Sequence, residues 1–104
     1  MIYELRTYTF QPGKQGEYLK LNAEVGRKVR GDKYGKFEGG WTTEFGMLNQ
    51  YVHLWAYPDL NTRAQVRANT MKDPAWQEFL RKGPGFLEEM HSTIMLPAPH
   101  SPLQ

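Results

Sequence analysis

Gln50-Tyr51-Val52-His53-Leu54-Trp55-Ala56-Tyr57 alternates without a fault. Val52, Leu54 and Ala56 fall on one side, and Tyr51, His53, Trp55 and Tyr57 on the other. A period of two, carried by β-branched and aromatic residues, is the pattern of a strand. Pro58-Asp59 stops it. Residues 41–45 (Trp-Thr-Thr-Glu-Phe) read as the preceding strand, entered from Gly39-Gly40 and joined through the loop Gly46-Met47-Leu48-Asn49. Pairing across that loop sets Phe45 opposite Gln50, Thr43 opposite Val52 and Trp41 opposite Leu54. On the other side Glu44 meets Tyr51, Thr42 meets His53 and Gly40 meets Trp55.

Residues 2–10 alternate in the same way. Tyr3, Leu5, Thr7 and Thr9 face one side, and Ile2, Glu4, Arg6, Tyr8 and Phe10 the other, before a Pro12-Gly13 turn. The period then changes. Tyr18, Leu21, Val25 and Val29 form one face of a helix over residues 14–30. Gly26 weakens its interior by roughly 1 kcal/mol against alanine. A second helix starts at the N-cap candidate Asp59 and carries Leu60, Ala64, Ala68 and Met71 at helical spacing. Asp73-Pro74 restarts a helix that buries Trp76, Phe79 and Leu80. Gly83-Pro84-Gly85 breaks it. Residues 88–96 form the last strand, and residues 97–104, with three prolines, an extended tail.

The order β-α-β-β-α-β predicts an α+β, ferredoxin-like domain: a four-stranded antiparallel sheet with both helices on one face. A chain of 104 residues makes one such domain, residues 1–104. Folding at this length removes roughly 65% of the open chain's surface, enough for a core. The absence of cysteine excludes disulfides, thiolate nucleophiles and Cys-ligated metals. A net charge of +2, from 13 basic and 11 acidic residues, is too small to argue for nucleic acid. No apolar run approaches the ~20 residues of a membrane span. The N-terminus has neither a basic leader nor a cleavable apolar region, so a cytoplasmic location is expected.

The sheet's two faces differ in chemistry. Trp41, Thr43, Phe45, Val52, Leu54 and Ala56 make the better bed for helices. Glu4 and Arg6 need partners if helices cover them. They are therefore expected on the opposite face with Tyr8, Thr42, Glu44, Tyr51, His53, Trp55 and Tyr57, joined by His91 and Thr93. Those rings form too large a patch to stand in water. A second copy of the chain is the simplest cover, and the interior between two such sheets suits a small molecule. With the parity reversed, Val52, Leu54 and Ala56 need the cover instead.

Several segments carry a resemblance. Ile2-Tyr3-Glu4-Leu5-Arg6-Thr7-Tyr8, Pro12-Gly13-Lys14, Gly40-Trp41-Thr42-Thr43-Glu44-Phe45-Gly46, Val52-His53-Leu54-Trp55-Ala56-Tyr57, Asp73-Pro74-Ala75-Trp76 and Leu96-Pro97-Ala98-Pro99 together resemble the NIPSNAP family over almost the whole chain. That family is similar in fold to the dimeric α/β barrel superfamily. Its members include cofactor-free monooxygenases of the antibiotic-biosynthesis type, haem-degrading enzymes, chlorite dismutase-like proteins and muconolactone isomerases. The resemblance implies a homodimer with a pocket between sheet and helices or between sheets. It implies no particular reaction.

Candidate chemistry gathers on the ringed face. Arg6 is the bidentate donor for an acidic or hydroxylated ligand, beside Glu4 and Glu44; the plainer reading is an interior ion pair. His53 is the candidate proton carrier near neutral pH; the plainer reading is an interior histidine bonded to Thr42 or Glu44. Tyr8, Tyr51, Trp55 and Tyr57 would wall a pocket for a planar ligand; the plainer reading is a dimer core. His91 with His53 and a glutamate supplies metal-ligand types without a metal-site spacing, so neither metal nor cofactor is expected. Arg27, Lys28, Arg30 and Lys33 read as a solvated basic helix end. Two functions follow from different classes: a cofactor-free oxygenase or isomerase using Arg6 and His53, and a non-catalytic ligand-binding or protein-interaction module.

Overall fold

The structure, a computed structural model, describes residues 1–82 and 84–104. Its elements are β1 (Ile2–Phe10), α1 (Gln15–Leu21), a π-helical turn (Asn22–Gly26), α2 (Arg27–Arg30), β2 (Lys36–Thr42), β3 (Gln50–Tyr57), α3 (Leu60–Lys72), α4 (Pro74–Lys82), a 3-10 turn (Pro84–Phe86) and β4 (Leu87–Met95). The strands pair antiparallel in the order β2-β3-β1-β4, the ferredoxin-like arrangement expected. Asp59 caps α3, its carboxylate accepting from the Thr62 amide at 2.6 Å. Asp73 does the same for α4 through the Ala75 amide at 2.9 Å. Gly83, within the expected helix break, lies outside the described residues.

The β2–β3 hairpin is longer-looped than expected. β2 occupies Lys36–Thr42 rather than 41–45, so Gly39 and Gly40 lie inside the strand and Phe45 in the loop. The register is Trp41↔Val52, Thr42↔Tyr51 and Gly40↔His53. That is two residues from the expected pairing. An even shift leaves each side chain on its side of the sheet. Asn49 (φ 61) and Gly46 (φ 86) take the left-handed conformations that turn the longer loop.

The sheet is mounted the other way round from the expectation. The ringed face lies under the protein's own helices. Phe10, Tyr18, Tyr51 and Phe79 form one buried cluster, and Ile2, Trp55 and Tyr57, with Phe37 and Val66, form a second. Glu4 and Arg6 are buried there with them. The bare face carries Leu5, Thr7, Val52, Leu54 and Trp41, the last 53% exposed. His91 and Thr93 pair with Thr7 and Leu5, so they belong to the bare face and not beside Arg6. The parity turned because the buried charges find non-local partners. Arg63 on α3 and Ser92 on β4 both bond Glu4.

α3 is likewise turned. Leu60 and Met71 are more than half exposed, and the expected apolar stripe faces outward. Arg63, Val66, Arg67 and Thr70 face the interior instead. Gly26 earns its place in the first helical run. A Cβ there would sit 2.8 Å from the Phe79 ring and 2.5 Å from the Asn22 amide oxygen. Residues 97–104 join no further strand. They turn at Ala98–Ser101 and return to β1, where the Tyr3 hydroxyl donates to the Gln104 carbonyl at 3.2 Å.

Candidate functional site

Between the sheet and the helices lies a cavity of about 260 Å³. Arg6 and Tyr8 of β1, Tyr18 of α1 and Arg30 of α2 form its inner wall. Arg67, Thr70, Trp76, Phe79 and Leu80 form the helical wall, and Met71 and Met90, each about half exposed, stand on its open side. The volume lies just below the ~300–1,000 Å³ of sites for drug-sized ligands, so the occupant it suits is small.

The charge in this space is one-sided. Glu4 is fully buried and takes hydrogen bonds from Arg6 (2.9 Å), Arg63 (2.7 and 3.1 Å) and Ser92. Burial by itself would raise its pKa, but the bonds from Arg63, Ser92 and Arg6 outweigh that and hold the carboxyl at about 2. Arg30 is 6% exposed. It donates to the Tyr34 carbonyl and the Tyr57 hydroxyl, each at 2.9 Å, and its guanidinium lies 3.6 Å from the centre of the Trp55 ring. Among the described residues no carboxylate pairs with Arg30 or Arg67. Burial depresses the Arg30 pKa. A buried guanidinium remains charged even so, and a buried charge without a counter-ion is costly.

His53 sits next to this space, 4% exposed and stacked on Tyr51 with ring centres 4.7 Å apart. The Trp55 indole N–H donates to His53 Nδ1 at 2.8 Å. An indole nitrogen only donates, so Nδ1 is the acceptor and the single ring proton of the neutral imidazole is on Nε2. Nε2 is buried and has no partner among the described residues. Burial, then the charges of Arg6 and Arg30, push the His53 pKa down to about 3. In the protein without a ligand this imidazole is a hydrogen-bond donor, not the proton acceptor at neutral pH that the sequence suggested. Its partner is Trp55, not Thr42 or Glu44.

The sequence-derived candidates therefore divide. Arg6 and Tyr8 line the cavity, and Tyr51, His53 and Trp55 line a smaller void of about 20 Å³ that shares Tyr8, Tyr18, Arg30 and Trp76 with it. Glu4 anchors Arg6, and Tyr57 anchors Arg30. Thr42 and Glu44 are exposed at the hairpin and do not join the site. His91, exposed and beside Glu89, lies on the opposite face of the sheet from His53, so the two imidazoles cannot share an ion. Among the described residues no three acidic or imidazole groups converge as metal ligands. The sequence reading missed Arg30, Arg67 and Trp76. The available signal was the spacing Tyr18, Asn22, Gly26, Arg30, four residues apart along one helical run. The π turn at Asn22–Gly26 interrupts the ordinary helical drift within that stripe.

Sheet and helices define a ferredoxin-like α+β domain. It shares that fold with an antibiotic biosynthesis monooxygenase at a TM-score of 0.70 over 95% of this chain and 100% of that one, with 13% identity. The family is narrower. The NIPSNAP family model matches residues 3–102, and the chain belongs to the NIPSNAP family. It is 38% identical to Protein NipSnap homolog 2 of Homo sapiens over 99% of this chain and 35% of that protein. It is 35% identical to the Dictyostelium discoideum NipSnap homolog over 92% of this chain and 42% of that protein. The chain thus spans less than half the length of these curated relatives. In structure it is similar to a NIPSNAP family protein with unknown function from Agrobacterium tumefaciens, at 38% identity and a TM-score of 0.96 over 100% of this chain and 94% of that one. An uncharacterized NIPSNAP domain protein from Burkholderia xenovorans is 36% identical, with a TM-score of 0.93 over 98% and 99% of the two chains. Among the described residues no helix is long and apolar enough to cross a membrane.

Proposed function

We propose that the protein binds a small organic anion with an apolar, planar body in the cavity beneath its helices. Arg30 carries this reading: it is a buried cation that pairs with no acid among the described residues, on the wall of a 260 Å³ space. A ligand carboxylate supplies the missing counter-charge, bonded by the guanidinium fork. Arg6 and Arg67 add to the positive field, and Trp76, Phe79 and Leu80 receive the apolar body. The substrate-contacting role expected of Arg6 and Tyr8 is kept, with Arg30 added as the principal anchor. Tyr51, Trp55 and Tyr57 support the site from beneath.

A thermal-shift screen of small aromatic carboxylates and their neutral amides against wild type and Arg30→Met tests this. Carboxylates stabilise wild type and amides do not, and Arg30→Met abolishes the difference. Equal shifts from acid and amide, or an undiminished acid response in Arg30→Met, contradict the reading.

Catalysis of the oxygenase or isomerase kind is the second reading. The buried His53 N–H, without a partner among the described residues, favours it, because a pre-placed donor suits an oxygen that gains negative charge during a reaction. The proposal also includes a homodimer formed through the bare sheet face, supported by the exposed Trp41 beside Val52 and Leu54. It keeps the cytoplasmic location, which fractionation of the source cells checks.

A further inference from the structure

Resting on that reading of the cavity, we infer that its ligand is a dianion, with one negative charge met by Arg30 and the other by Arg67. Charge balance points to two charges rather than one. Arg6, Arg30 and Arg67 all line the cavity, and among the described residues its wall holds no acid. Glu4 lies behind Arg6 and shares its single charge between Arg6, at 2.9 Å, and Arg63, at 2.7 Å. That carboxylate is already outnumbered by the guanidiniums it binds. Arg30 and Arg67 remain, each without a carboxylate at ion-pair distance among the described residues. A monoanion would balance one of them and leave the other unanswered.

Arg67 is half-buried on α3. A helix usually supplies such an arginine with an acid three or four residues away. α3 supplies none: Leu60–Lys72 contains Arg63, Arg67 and Lys72 and no aspartate or glutamate. The flanking Asp59 and Asp73 are engaged as caps, accepting from the amides of Thr62 and Ala75, and Asp73 also accepts from the Tyr34 hydroxyl at 3.0 Å. The two free cations feel each other. Burial, and after it the charges of Arg67 and Arg6, draw the Arg30 pKa down. Like charges on one wall raise each other's cost, and a ligand that brings both counter-charges relieves it. A space of about 260 Å³ takes one small ligand, so the two charges belong to one molecule. Trp76, Phe79 and Leu80 require that its body be apolar. Two carboxylates on one ring, or one doubly ionised phosphorus acid head, satisfy the same chemistry, because a guanidinium fork matches either.

Calorimetry on wild type compares two matched pairs of ligands at a pH where every acid group is ionised. Isophthalate is set against 3-carbamoylbenzoate, and phenylphosphonate against its monomethyl ester. Within each pair the ring is the same and the second charge is what differs. In at least one pair the dianion should bind about tenfold more tightly, the factor for one charge-assisted hydrogen bond. A preference confined to isophthalate assigns the charges to two carboxylates, and one confined to phenylphosphonate assigns them to a single head. Arg67→Met should abolish the preference and leave binding of the monoanions within about twofold. Lys72→Met removes the same charge from an exposed site on the same helix and should keep the preference, which separates a contact from the general field. The wild-type comparison decides whether or not either variant folds. Equal affinity within both pairs, a preference that survives Arg67→Met, or one that Lys72→Met also removes overturns the inference while leaving the anion site standing. Failure of all four ligands to bind overturns the anion site and this inference together.

Discussion

The Arg30 guanidinium lies 3.6 Å from the centre of the Trp55 ring, and the same Trp55 donates its indole N–H to His53 at 2.8 Å. One tryptophan thus supports the cation on its face and orients the imidazole at its edge. A cation held over an aromatic face gains ~0.5–2 kcal/mol, more as water is excluded. The arrangement holds the guanidinium in place, and among the described residues no carboxylate pairs with Arg30 to compete with a ligand.

Arg30→Met tests the cost of that arrangement. The variant should be less stable by about 1–2 kcal/mol, because the Tyr34 carbonyl and Tyr57 hydroxyl lose their donor. Removal of an unpaired buried charge keeps the loss from being larger. Urea denaturation measures it; a loss above about 4 kcal/mol would mark Arg30 as a structural residue first.

Glu4→Gln should cost about 3–5 kcal/mol, as expected when one side of a buried ion cluster is removed and Arg6 is left without its counter-charge. Glu4 also predicts acid sensitivity. Its folded pKa of about 2 lies below the ordinary 4.5. A depressed carboxyl contributes stability that is complete above pH 4.5 and is lost as pH falls towards 2, roughly 3 kcal/mol in all. Thermal melts of wild type and Glu4→Gln across that range should converge at the acid end.

His53 adds a second window with the same sign. Its folded pKa of about 3 lies below the ordinary 6.5. Between those values the unfolded chain binds a proton that the folded chain does not, so stability falls as pH drops from 6.5 towards 3. The slope approaches about 1.4 kcal/mol per pH unit in the middle of the window. His53→Phe should flatten the stability profile between pH 6 and 5, above the Glu4 window. An unaltered slope there would mean that His53 titrates normally in the folded protein.

Gly26→Ala separates helix propensity from packing. Propensity alone would stabilise by about 1 kcal/mol. The added Cβ meets the Phe79 ring at 2.8 Å, so overpacking should win, with a net loss of about 1–2 kcal/mol by chemical denaturation. A stabilised variant would show that α4 shifts freely against the first helical run.

Leu54→Glu tests the bare face. Leu54 is half-buried on the side away from the helices. Wild type should sediment as a dimer, and the substitution should yield a folded monomer. A monomeric wild type at micromolar concentration contradicts the proposed association.

The fold was largely legible in the sequence because periods of two and 3.6 are local properties, and β1, β3 and the cap residues Asp59 and Asp73 carry them cleanly. What a local reading cannot supply is a distant partner. Glu4 and Arg6 looked unfit for a helix-covered face, and only Arg63, 59 residues from Glu4, and Ser92, 88 residues away, make them fit. Arg30 was hidden for a similar reason. A run of basic residues at a helix end normally faces water, and the aromatic floor that receives this one comes from β3. Arg6, Tyr8 and His53 could be named from alternation alone, but not the side of the sheet on which they act.

The most direct test of the account is a crystal structure of the protein soaked with a small aromatic carboxylate. The account predicts density beneath the helices, with the carboxylate within hydrogen-bonding distance of Arg30 and the ring against Trp76 and Phe79. Ligand bound instead on the bare face around Trp41 and Leu54, with the space beside Arg30 holding only water, would contradict it.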